Sequence, residues 1–217
     1  MNLKNLYLQI PSFIDSHECE EYIDHFSLNL NNVGNESSYN VKSGKIEKQK
    51  STVLPLSPED EIYQKSVERS KIIISKYYDH LSKFDSFDTL TYIKQLKFLH
   101  SFRIIKYDVG DYIHQHVDKI DYTYGSFTIE LSTKDSYEGG EFSFFNDKER
   151  IDFDQGTGLI FPASYFWTHE TKPVTKGTRY CVNCFLTNKS SKQISLFSSM
   201  PDDNPFAQPI LNEKFWK

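Results

Sequence analysis

The spacing of apolar positions changes near residue 97. Before it, apolar residues recur at helical intervals. Cys19, Tyr22, Ile23 and Phe26 follow Asp15, with Glu18 three residues on, which is capping-box spacing and predicts a first helix. Ser57-Pro58-Glu59-Asp60 reads as a second helix start, with a Ser cap, Pro at the first position and acids in the first turn. Tyr63, Val67, Ile74, Tyr78 and Leu81 then fall on one predicted face. The stretch 31–56 between these helices is polar and rich in Asn, Ser, Gly and Lys, and reads as an irregular loop.

After residue 97 the period is two. Strands are predicted at 98–107, 112–118, 124–132, 140–146, 149–154, 157–162, 167–174 and 178–187. Turn signals such as Val109-Gly110-Asp111, Glu138-Gly139-Gly140 and Lys176-Gly177 separate them. Many short strands preceded by helices predict a mainly β fold, a sandwich, barrel or jelly roll with N-terminal helices packed on one side. The expectation is one domain over 1–217: helical support and a polar loop at 1–96, the β core at 97–187, and a docking tail at 188–217. The tail carries Phe197, Phe206, Leu211, Phe215 and Trp216.

Composition narrows the class. Hydrophobic residues make up 38% and aromatics 15%, which is globular. The net charge of -5, with acids and bases mixed, argues against nucleic acid as the default partner. The N-terminus has no apolar signal region and no run approaches a membrane span, so the reading is a cytoplasmic protein with no membrane partner. Cys19, Cys181 and Cys184 are too few for a disulfide framework. Cys181 and Cys184 form a C-x-x-C on a predicted strand, where residues three apart face opposite ways, so structural cysteines are expected.

The strongest chemical signal is His114-Gln115-His116-Val117-Asp118. On a strand, His116 and Asp118 point the same way and can reach one metal. His169, on another predicted strand, is the best third ligand. Two imidazoles and one carboxylate form a facial triad, the set of non-haem Fe(II) oxygenases. His114 shares the face but lies four residues from Asp118, roughly 13 Å along a strand, too far for shared coordination. Arg179, ten residues after His169, is expected on a strand running beside that of His169. Arg179, Cys181, Asn183 and Phe185 share a face, and a half-buried Arg there needs an anionic partner.

These pieces together carry a resemblance. Tyr107-Asp108-Val109-Gly110-Asp111-Tyr112 leads into His116-Val117-Asp118, followed by Glu138-Gly139-Gly140-Glu141-Phe142, Gly158-Leu159-Ile160-Phe161-Pro162, His169 and Val174 to Tyr180. In order and spacing, the segment from Arg103 to Leu186 resembles the 2-oxoglutarate and Fe(II)-dependent dioxygenases, especially the prolyl 4-hydroxylase-like branch. Phe13 to Cys19 is similar to the helix entry of such proteins.

The resemblance implies a double-stranded β-helix with His116, Asp118 and His169 as iron ligands. Arg179 would bind the distal carboxylate of 2-oxoglutarate, and Tyr107 would help hold this cosubstrate. It also implies O2 as oxidant, ascorbate as reductant, and hydroxylation of a C–H bond coupled to decarboxylation of 2-oxoglutarate to succinate and CO2. A peptidyl proline is the substrate implied, with other side chains or a free amino acid as rivals. A rival of another class is a metal-binding jelly-roll module that binds peptide without oxidising it. The nucleic-acid demethylating branch carries a second Arg six residues after the first, where this chain has Phe185. Relatives often carry an aromatic residue at the position of Glu130, so Glu130 is expected to face away from the cosubstrate or to pair with a base.

Overall fold

The computed structural model describes residues 3–85, 88–119 and 122–190, with 192, 193 and 195. The expected docking of the tail's aromatic residues lies outside them. Helices α1 (Ser16–Leu28), α2 (Glu61–Leu81) and α3 (Thr89–Ile93) accompany fourteen strands among the described residues. In chain order these are β1 (Leu8–Ile10), β2 (Ser37–Asn40), β3 (Lys45–Lys48), β4 (Thr52–Pro55), β5 (Phe98–Tyr107), β6 (Ile113–His116) and β7 (Thr123–Glu130). Then come β8 (Tyr137–Gly139), β9 (Phe142–Phe144), β10 (Glu149–Ile151), β11 (Gly158–Pro162), β12 (His169–Thr171), β13 (Val174–Gly177) and β14 (Arg179–Thr187).

Six strands form one sheet in the order β1-β11-β7-β14-β5-β4, and four form another in the order β10-β9-β12-β6. All the pairings are antiparallel. Aromatic rings join the sheets: Phe142 and Phe144 on β9 meet Phe161 on β11 at 6.3 and 4.9 Å between centroids. This two-sheet stack is the jelly-roll core that the alternating pattern predicts.

Alternation also explains why the six-stranded sheet has two buried faces. Phe102 and Ile104, Phe127 and Ile129, and Val182, Cys184 and Leu186 pack in one large cluster with α1 and α2. Their neighbours Arg103, Ile105, Tyr107, Thr128, Cys181 and Asn183 point to the other side, into the space between the sheets. Cys181 and Cys184 therefore belong to different apolar clusters, and both are free thiols.

The helix caps only partly follow the sequence. Asp15 caps α1 by accepting from the Glu18 amide at 2.8 Å. The second helix starts at Glu61 with Asp60 as its cap residue, later than Ser57. Its buried face is Ile62, Ser66, Ser70, Ile73, Tyr77 and Leu81; Tyr78 is exposed. Serines occupy the buried stripe because each hydroxyl donates to the carbonyl four residues back, Ser66 to Ile62 and Ser70 to Ser66, both at 2.7 Å. A satisfied hydroxyl can be buried, and its small size lets Tyr22 of α1 approach, bonding Ser66 at 2.7 Å.

The segment 31–56 is not an irregular loop. It holds the β2–β3 hairpin and β4, which edges the main sheet against β5. Asn40 builds the turn by accepting from the amides of Lys42 and Ser43, and Gly44 takes a positive φ of 69°.

Candidate active site

Strand pairing builds the centre. His116 ends β6, His169 begins β12, and the two are direct partners across the ladder. Their rings lie 4.2 Å apart. The strand predicted to run to 118 stops at His116, and Asp118 follows in the connection, folding back towards both rings. Asp118 Oδ1 is 3.4 Å from His116 Nε2, and Oδ2 is 3.4 Å from His169 Nε2. One ligand atom from each residue lies within 4.8 Å of the others, and all three residues are buried.

Hydrogen bonds fix which nitrogens are available. His116 Nδ1 lies 2.8 Å from the His114 carbonyl, and His169 Nδ1 lies 3.0 Å from that of Trp167. A carbonyl only accepts, so both Nδ1 atoms carry the proton and both Nε2 lone pairs face Asp118. Two lone pairs and a carboxylate repel one another unless a cation sits among them. Asp118 Oδ2 is buried with no hydrogen-bond partner, as a metal-ligating oxygen would be before loading. Cis ligands about 2.1 Å from an ion stand roughly 3 Å apart, close to the spacing seen. The donor set fits a divalent metal such as Fe(II).

The electrostatics agree with this fit. Burial raises the Asp118 pKa, but the positive charge that His169 and His116 carry when protonated more than offsets it and holds the carboxyl well below its usual range. Burial pushes His169 down to about 4 from an ordinary 6.5. The unfolded chain therefore takes up a proton on this imidazole, as pH falls from about 6.5 towards 4, that the folded metal-free protein refuses. Stability of the metal-free protein should fall through that window by about 3 kcal/mol. Urea melts of wild type and His169→Ala at stepped pH measure this; equal pH dependence in the two removes His169 as the cause.

Two spaces meet at the triad. A narrow cavity runs between the sheets past Tyr107, Thr128 and Thr171 to Arg179. An open groove of about 740 Å³ lies outside it, walled by Ser38, Tyr39, Val41 and Ile46 of the β2–β3 hairpin on one side and Tyr165 and Phe185 on the other. Arg103 stands at their junction, lining both.

Arg179 is 2% exposed, and its Nη1 is buried without a partner. Its strand does not run beside that of His169. It pairs with β5 and β7 in the six-stranded sheet, so Arg179 faces the triad from the opposite wall. The residue opposite Arg179 on β5 is Tyr107, fully buried, with its ring 5.3 Å from the guanidinium. Gly140 is also tightly fitted here: a Cβ on it would lie 3.3 Å from Arg179 Cδ. Glu130 pairs with a base, as expected of it, and the base is Arg179 itself.

Other residues find structural places. His114 is buried, and its Nε2 meets Ser38 Oγ at 2.9 Å, so it anchors the hairpin and stays out of the triad. Trp167 packs on Phe144 and Phe145 and presents only its carbonyl to His169. The hairpin wall and Arg103 escaped the sequence reading. The signal was there in Tyr39, Val41 and Ile46 flanking Ser43-Gly44, but the surrounding Asn, Ser and Lys diluted the alternation.

Comparisons with known proteins agree with this geometry. Residues 102–187 match the 2OG-Fe(II) oxygenase superfamily model. No curated protein matches the chain by sequence. Among solved structures, a prolyl hydroxylase from Trichoplax adhaerens, in complex with a hypoxia inducible factor oxygen degradation domain peptide fragment, superposes with a TM-score of 0.63. The identity is 14%, over 90% of this chain and 88% of that one. The viral collagen prolyl hydroxylase from Paramecium Bursaria Chlorella virus-1 gives 0.58 at 16% identity, over 85% and 97% of the two chains. A Pseudomonas putida prolyl-4-hydroxylase gives 0.59 at 12%, over 85% and 93%. Among the described residues no helix is long and apolar enough to cross a membrane. The two-histidine, one-aspartate centre thus lies inside the jelly-roll segment, residues 102–187, that matches the 2OG-Fe(II) oxygenase superfamily model.

Proposed function

We propose that this protein hydroxylates a peptidyl proline, with oxidative decarboxylation of 2-oxoglutarate to succinate and CO2. The observation that carries this reading is the meeting, at one triad, of a cavity ending in a buried Arg and an open groove walled by a hairpin. His116, Asp118 and His169 would hold Fe(II), which when bound supplies the activation of O2. Three protein ligands on one face leave the remaining positions to cosubstrate and oxidant. Arg179 Nη1–H is the donor that would meet the distal carboxylate, with the Tyr107 ring flanking the guanidinium.

The groove suits an extended chain. Its hairpin wall is apolar in Tyr39, Val41 and Ile46, and at about 740 Å³ it has room for more than a free amino acid. Prolyl hydroxylases among the structural neighbours, one holding a peptide, support the same substrate class. The metal orders oxidation, and the groove's task is to place the target C–H bond over it.

The deciding assay incubates the protein with Fe(II), ascorbate, O2 and 2-oxoglutarate and a panel of proline peptides and free amino acids. Succinate release and the gain of one oxygen atom by the substrate are followed by mass spectrometry. Oxygen incorporation into a proline peptide is expected. Turnover confined to free amino acids would overturn the peptide assignment. Iron-loaded protein that never releases succinate would make it a binding module.

A further inference from the structure

The Arg179 charge is already matched inside the fold. Its Nε and Nη2 both donate to Glu130 Oε2, at 2.9 and 2.7 Å. The two side chains are 2% and 0% exposed. Register makes the pair: Glu130 on β7 is the direct partner of Cys181 on β14, so Arg179, two residues before Cys181, is its diagonal neighbour on the inner face. The rings of Tyr107, Phe153 and Tyr137 surround the guanidinium at 5.3, 5.7 and 6.0 Å, giving it no second anion. Burial works against the Arg179 charge, and the Glu130 carboxylate more than offsets this, holding its pKa well above the ordinary value.

One cation and one anion leave this end of the cavity neutral. The free Nη1–H still offers a hydrogen bond, but a ligand carboxylate placed there becomes a second anion beside Glu130 in a water-poor space. We propose that Glu130 sets cosubstrate selectivity: it makes the Arg179 end electrically neutral, so 2-oxo acids with an uncharged distal end bind about as well as 2-oxoglutarate. This rests on the dioxygenase reading above, which requires only that the 2-oxo acid head group bind at the metal.

Calorimetric titration of anaerobic, Fe(II)-loaded protein tests it with three ligands: 2-oxoglutarate, its 5-methyl ester and 2-oxopentanoate. Wild type is expected to bind the first two with dissociation constants less than about tenfold apart. Glu130→Gln keeps an acceptor for Arg179 and restores the net positive charge. It should bind 2-oxoglutarate at least about tenfold more tightly, the scale of one charge-assisted hydrogen bond, and leave 2-oxopentanoate unchanged. A purely structural role for Glu130 would shift all three ligands together and overturns the proposal. So does a wild type that prefers 2-oxoglutarate to its ester by more than about tenfold, a result that needs no variant to fold. Either outcome leaves the dioxygenase reading intact, whereas failure of every 2-oxo acid to bind the iron-loaded protein overturns both.

Discussion

Replacing His169 by alanine is expected to leave the protein without bound iron. The His169 Nε2 lone pair is one of three converging donors, and its loss leaves His116 and Asp118 to hold the ion alone. Removing a hydrogen-bonding support from a metal ligand costs roughly 10–100-fold in affinity, and removing the ligand itself should exceed that. Metal content after anaerobic Fe(II) loading and desalting measures it, with circular dichroism to check the fold. His114→Ala is the control. Its imidazole is bonded to Ser38 on the hairpin, so iron should be retained. A His169→Ala protein that holds iron as wild type does would dismantle the triad, and loss of iron only in His114→Ala would put the wrong histidine at the metal.

Arg179→Ala should have the second largest effect, on two readouts at once. It strands the Glu130 carboxylate, which is fully buried, and breaking such a pair by removing one partner costs about 3–5 kcal/mol. It also removes the Nη1–H donor and exposes the cosubstrate to Glu130 without a cation between them, so the 2-oxoglutarate requirement should rise steeply. Urea denaturation and the cosubstrate concentration dependence of succinate release follow the two. The double variant Arg179→Ala, Glu130→Gln should recover much of the stability, since no buried charge is left, while the cosubstrate requirement should fall back only in part, because the Nη1–H donor is still missing. An Arg179→Ala protein as stable as wild type would contradict the buried pair, and an unchanged requirement would remove Arg179 from the cosubstrate role.

Arg179 also marks where sequence reasoning reaches its limit. The alternation of β14 put Arg179, Cys181, Asn183 and Phe185 on one face, and all four line the spaces around the triad, with Arg179 and Cys181 buried more fully than the expected half-buried face. The need for an anionic partner followed from burial alone. That the partner is Glu130 did not follow, because it depends on β7 lying next to β14 in a particular register. The same gap explains the misplaced strand. Ten residues from His169 to Arg179 suggested adjacent strands, but β13 intervenes and the chain crosses to the other sheet.

The second helix shows a related limit. Periodicity found the helix but turned its face, choosing Tyr63, Val67 and Tyr78 over a stripe that includes Ser66 and Ser70. Hydropathy treats serine as polar, whereas a hydroxyl bonded to the carbonyl four residues back can be buried at little cost.

What the sequence determined by itself was carried by local period and residue chemistry. Eight of the ten strands in the two core sheets, the capped first helix, the two faces of the C-x-x-C and the choice of His116, Asp118 and His169 as a converging set were legible, whereas β1 and β4 were not. The ligand chemistry of imidazole and carboxylate needs no long-range information, but Asp118 lies past the end of β6, so its approach to the two rings was set by the fold and not by strand alternation. The tertiary structure alone decided which strands became neighbours. Register placed His169 opposite His116, brought Glu130 onto Arg179, and laid the hairpin against β6 to wall the groove. Those pairings join residues far apart in the chain, and they are selected by burying both faces of the main sheet at once, which no local window contains.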